Sequence, residues 1–325
     1  MQDIMNQIRS LIDRQDNMAV IDKLYIPHPY SSRPAVKFVL GAELYLPNIN
    51  RVELREKGIR FLSDYWKCFP EYINKILLRN RTRYIRFKGD PTDVIIQDCN
   101  KYLKDLGYGA SLCSKHNMRP NDYINPYKAG IAISREKDFR PSSFEAYFPV
   151  CDEKTGIPNY QLLLEAILKW AEFCQPIHGL AGFSLTFDLV QDSVYALPIM
   201  KRFSGFNLID DDFIFEIDNV YNRIKCVNWL TVLSTPLIDE LGGIELMKNT
   251  LSLCKIHEYN GGVVIQAGEF PLLGDSHTGE IPEPYRQAAQ YTKPIRFEDY
   301  DEGLFRVPRD TDAVMETLSW IKRFD

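Results

Sequence analysis

The chain has 325 residues, 45% of them hydrophobic and 26% charged, with a formal net charge of −5. That composition supplies apolar mass for one large domain or two modest ones and excludes a disordered or low-complexity chain. The N-terminal MQDIMNQIRSLIDRQD has acids at Asp3 and Asp13 and no apolar segment of signal-peptide length, and nothing approaches the roughly 20 apolar residues of a membrane span, so a cytoplasmic protein is expected.

Taken in chain order, Ile4, Ile8, Leu11 and Ile12 have helical spacing and predict a helix over 3–15. AVKFVLGAELYL (35–46) reads as a strand ended by Pro47, and residues 50–69 as a helix with Ile59, Leu62, Tyr65, Trp66 and Phe69 on one stripe. Pro70 ends or kinks that helix, and EYINKILLR is expected to resume it. RYIRFKG (83–89) predicts a short strand, and PTDVIIQDCNKYLKDLG (91–107) a helix between a proline start and a glycine end. Strands are expected at 127–134, 143–150, 179–189 and 224–233, with helices at 159–174 and 191–203. PLIDELGG predicts a short helix from Pro236 to a left-handed cap at Gly242, continued by IELMKNTLSL. VVIQAG is then a strand, PYRQAAQYTKP a short helix, and DAVMETLSWIKRF a closing helix.

The mixture implies an α+β fold, with mixed or antiparallel sheets and helices packed on them. An internal echo suggests two related halves. Glu43-Leu44-Tyr45-Leu46-Pro47 precedes a helix carrying Trp66, Cys68 and then Pro70, and Glu145-Ala146-Tyr147-Phe148-Pro149 precedes one carrying Trp170, Cys174 and then Pro176. Charge divides the chain as well: residues 1–140 carry a surplus of +8 and residues 141–325 one of −13, as two parts of one compact unit. The extremes are a basic run at Arg79, Arg81, Arg83, Arg86 and Lys88, and an acidic run at Asp210, Asp211, Asp212, Glu216 and Asp218.

Three chemistries can be weighed on these residues. The seven cysteines are widely spaced with no CxxC, which suits reduced core thiols rather than a zinc site. GDSHTGE (274–280) invites a metal-dependent or serine hydrolase centred on Asp275 and His277, with Ser276 as nucleophile and His178 as base. Two metals need several ligand motifs, however, and only five histidines exist, none in an NH[DE] context. Turn chemistry explains the same residues, because an aspartate after a glycine bonds nearby backbone N–H groups. The basic run could form a nucleic-acid module, but in a strand Arg83 falls on one face and Arg86 and Lys88 on the other, so charge is not gathered on one side.

Several stretches together carry a resemblance: IKCVNWLTVLSTPLIDELGG (224–243), GGVVIQAGEFPLLGD (261–275), PEPYRQAAQYTKPIR (282–296) and WIKRF (320–324), with HGLAGFSL (178–185) and the YFP of 147–149 upstream. The pattern resembles type VI secretion immunity proteins that protect against VRR-Nuc nuclease effectors, and it is densest over 140–325. The resemblance implies a non-catalytic antitoxin-like protein with no cofactor and no metal. It would bind a cognate effector nuclease one to one and cover the nuclease's DNA-binding surface, without touching nucleic acid or membrane itself. No contact residues are carried over. The candidates rest on charge and nearby aromatic anchors instead: Asp210, Asp211, Asp212, Phe213, Glu216 and Asp218 in the acidic run, and Glu269, Phe270, Asp275 and Glu280 in the later loop.

Overall fold

The computed structural model describes residues 2–31, 33–114, 124–138, 140–188, 192–209 and 222–325. Within them the expected α+β architecture is present. Eleven strands form one sheet, paired antiparallel throughout. They are β1 (Tyr25–Pro27), β2 (Pro34–Leu46), β3 (Ile73–Leu78), β4 (Ile85–Arg86), β5 (Tyr108–Ser114), β6 (Lys128–Ile133), β7 (Ser142–Phe148), β8 (His178–Phe187), β9 (Leu230–Ser234), β10 (Cys254–Tyr259) and β11 (Gly262–Ala267). The order across the sheet is β10-β11-β9-β8-β2-β7-β6-β5-β3-β4, and β1 pairs with β2 outside that path.

The α-helices are α1 (Gln2–Arg14), α2 (Arg51–Cys68), α3 (Thr92–Cys99), α4 (Tyr160–Cys174), α5 (Ser193–Arg202), α6 (Thr235–Glu240), α7 (Ile244–Thr250), α8 (Glu283–Thr292) and α9 (Ala313–Ile321). On one face of the sheet, Phe144 and Phe148 of β7 meet Phe61 of α2 and Trp170 of α4; the Phe61–Trp170 ring centroids are 4.5 Å apart. This aromatic layer is fully buried and excludes water from the centre of the sheet. On the other face Val39 and Tyr147 pack with Ile209.

The echoed strands β2 and β7 lie side by side, with Glu43 opposite Glu145, and the helix after each packs on the same aromatic layer. The strands that follow are laid out differently: α2 leads to β3 near one edge, whereas α4 leads to β8, directly beside β2.

Three local expectations need correction. Residues 73–78 are a strand, not resumed helix. Pro70 stops α2, and the burial of Ile73, Ile76 and Leu78 is satisfied by pairing with β5, a partner no local pattern displays. The helix at 91–107 stops at Cys99. Arg55 of α2 donates to the carbonyls of Leu103 and Leu106 at 2.7 and 2.8 Å, which satisfies them outside any helix, and the chain then enters β5. Residues 224–229 are irregular and only 230–234 form strand. β10, which follows α7, is an edge strand whose mixed polar sequence gives little alternation.

Candidate functional site

The Gly- and Pro-rich segment after β11 is a loop held at many points. Gly268 turns the chain at φ +90°, and its carbonyl accepts from Trp229 Nε1 at 3.1 Å and Gln266 Nε2 at 3.2 Å. Tyr285 Oη accepts from Leu272 N–H at 3.0 Å. Leu273 O accepts from Gly205 N–H at 2.7 Å, and a Cβ at Gly205 would overlap the Leu272 carbonyl. Asp275 and Glu280 then close a tight turn by two backbone bonds of 2.9 and 3.0 Å.

Within that turn Asp275 faces inward and is fully buried. Its carboxylate accepts from Arg9 Nη1 of α1 at 2.6 Å, from Arg202 Nη2 of α5 at 2.9 Å, and from His277 N–H at 2.9 Å. Burial pushes the carboxyl up, but the bonds from Arg202, the His277 amide and Arg9 outweigh it and hold its pKa at about 2. Arg9 also reaches Glu280 Oε2 at 2.5 Å. Asp275 therefore fastens the loop to α1 and α5. Glu269, Phe270 and Glu280 are exposed on the same loop, with the Phe270 ring 6.0 Å from Tyr160. The candidates Asp210, Asp211, Asp212, Phe213, Glu216 and Asp218 lie outside the described residues.

The two flanks of that acidic run are anchored on the sheet. Glu43 of β2 is buried with its carboxylate on Lys225 Nζ (2.5 Å), Tyr45 Oη (2.8 Å) and Asn207 Nδ2 (3.2 Å), and Lys225 also donates to Leu208 O at 2.7 Å. Burial pushes the Glu43 carboxyl up against the pull of Lys225. Residues 207–208 and 225 thus meet over one buried carboxylate. Gly205, bonded to Leu273 of the loop, stands four residues before Ile209, a span of at most about 14 Å. Ile209, the last described residue before the acidic run, and the 269–280 loop therefore lie in one region.

The groups of the hydrolase reading do not converge. Ser276 Oγ donates to Lys201 O at 3.1 Å, His277 is exposed, and Asp275 is engaged by the two arginines. His178 begins β8, fully buried, with Nδ1 on Val232 O at 3.1 Å and its ring stacked on Tyr45; burial holds its pKa down at about 3. Among the described residues no group of three or more His, Cys, Asp or Glu is placed to hold a metal ion, and no helix is long and apolar enough to cross a membrane. In the basic run, Arg81, Arg83, Arg86 and Lys88 are exposed at the outer edge of the sheet, while Phe87 is buried and Ile85 packs against the core. Cations on an edge strand discourage pairing with another chain, which accounts for their placement.

Sequence reasoning missed Arg9, Arg202, Glu43 and Lys225, because each acts across more than 70 residues of chain and no local spacing marks it. Residues 155–324, just over half of the chain, match a family model described as TsiV, type VI immunity for VRR-NUC. No curated protein matches. Among solved structures, the Pseudomonas aeruginosa T6SS protein PA0821 is similar in fold, with a TM-score of 0.76 and 18% sequence identity over 91% of this chain and 84% of that one.

Proposed function

The chain belongs to the TsiV family, type VI immunity for VRR-NUC, and from that premise we propose that it binds a cognate effector nuclease one to one in the cytoplasm, covers its DNA-binding surface and performs no catalysis. The family match over residues 155–324 carries this reading. Charge supports its finer part. A nuclease that grips DNA presents a basic groove, and the half of this chain holding the match carries the acidic surplus. An acidic surface can occupy such a groove in place of phosphates, and complementary charge raises association to ~10⁸ M⁻¹s⁻¹ or more at low salt. We assign the contact surface to the acidic run 210–218 and the exposed Glu269, Phe270 and Glu280. Phe213 and Phe270 would be apolar anchors within a charged rim.

The deciding experiment is stopped-flow association with the effector nuclease. Reversing Asp210, Asp211 and Asp212 together to Lys should slow association by about tenfold or more at low salt, with an unchanged melting temperature. Association at the wild-type rate would remove that run from the interface. A nuclease that still cuts DNA under saturating amounts of this protein would reject occlusion altogether.

A further inference from the structure

A cavity of about 290 Å³ lies between α5, α9 and the 275–281 turn. Met200, Ile281 and the Trp320 ring give it apolar walls, and its polar lining includes Ser204, Lys201, Arg323 and one carboxylate, Glu280. Two features set it apart. First, Trp320 Nε1–H and Ser204 Oγ–H are both buried without a hydrogen-bond partner among the described residues. An orphaned buried donor is costly, so two on one cavity call for an acceptor. Second, Arg323 has no carboxylate partner among the described residues. Its guanidinium donates to the carbonyls of Ser204 (2.6 Å), Trp320 (3.0 Å) and Val227 (3.4 Å), and stacks 4.1 Å from the Trp320 ring centroid. Neighbouring charges are already spent: Lys201 is paired with Glu316 at 2.8 Å, and Glu280 with Arg9 at 2.5 Å.

We propose that this cavity is a carboxylate-binding site, in which the Trp320 indole N–H and the Ser204 hydroxyl donate to the carboxylate oxygens while Arg323 balances the charge. A water could accept from the two donors, but it would leave the arginine uncompensated; a carboxylate answers both needs. The volume is at the lower end for small-molecule sites, about 300–1,000 Å³, and admits a short carboxylic acid or one acidic side chain. The site does not depend on the immunity reading and stands or falls without an effector.

The chain has four tryptophans, so indole N–H signals in a ¹H–¹⁵N spectrum of the whole protein resolve the site directly, with Trp320→Phe giving the assignment. Succinate and N-acetylglutamate amide are the probes, and N-acetylglutamine amide is the neutral control. Both acids should move the Trp320 signal and saturate near millimolar concentration. The Trp229 signal, already bonded to Gly268 O, should stay in place. Ser204→Ala keeps the indole reporter and should weaken binding about tenfold. Arg323→Met should abolish saturation, and if that variant fails to fold, the serine variant decides alone. Tighter binding of N-acetylglutamate amide than of succinate identifies a protein side chain as the occupant; the reverse identifies a free acid. A Trp320 signal that stays in place at about 50 mM of either acid, that the neutral amide moves equally, or whose shift is unaffected by Ser204→Ala, overturns the proposal.

Discussion

Asp275 and His277 are two residues apart and have opposite fates. Asp275 is clamped by Arg9 and Arg202, so Asp275→Asn leaves the Arg202 guanidinium short of its counter-charge, while Arg9 keeps Asp13 and Glu280. It should lower unfolding free energy by about 3–5 kcal/mol in denaturant melts. His277 is exposed, so His277→Ala should change stability by less than about 0.5 kcal/mol and leave protection against the effector intact. Protection lost in a folded His277→Ala variant would reopen the catalytic question. Acid response follows from the same residues. His178, held at about 3 against 6.5 when unfolded, contributes stability above pH 6.5 that is lost as pH falls towards 3. Asp275, at about 2 against 3.8, contributes stability above pH 3.8 that is lost as pH falls towards 2. Asp22 runs the other way. Burial raises it to about 6 despite the amides of Val150 and Cys151, so its contribution is present below pH 3.8 and lost as pH rises through 6. The His178 window is the wider, so melts from pH 7 to 3 should show falling stability, and Asp275→Asn should abolish only the part below pH 4.

Among the elements, those with strong period survive in the structure nearly as read: α1, α2, α4, α8 and α9 carry apolar stripes, and β2 and β8 are continuous apolar runs. β3 was misread as helix because six residues, with Asn74 and Lys75 set among Ile73, Ile76, Leu77 and Leu78, are too few to separate the two periods, and only β5 beside it selects the strand. The loop after β11 was legible as shaped turn chemistry, since Gly268, Gly274 and Gly279 all sit at positive φ. Its position against residues 203–207 was not legible. Gly205→Ala tests that contact: the added methyl meets the Leu272 carbonyl and should cost about 1–3 kcal/mol by denaturant midpoint, with the rest of the fold retained. An unaltered midpoint would mean that the two segments do not touch.

Across the whole molecule, one sheet carries both the basic-balance and the acidic-balance parts of the chain, because β2 of the first is inserted between β7 and β8 of the second. The buried Glu43–Lys225 pair then fixes both flanks of the acidic run to the centre of that sheet. Fold class, the charge division, the apolar stripes and the family resemblance were determined by the sequence alone, because each depends on residue type and short spacing. Strand order, the inward turn of Asp275 between two arginines, and the cavity under Trp320 were decided only by tertiary structure. Hydrogen bonds and ion pairs between residues tens to hundreds of positions apart leave no periodic trace in a chain; they exist once packing has chosen which surfaces meet.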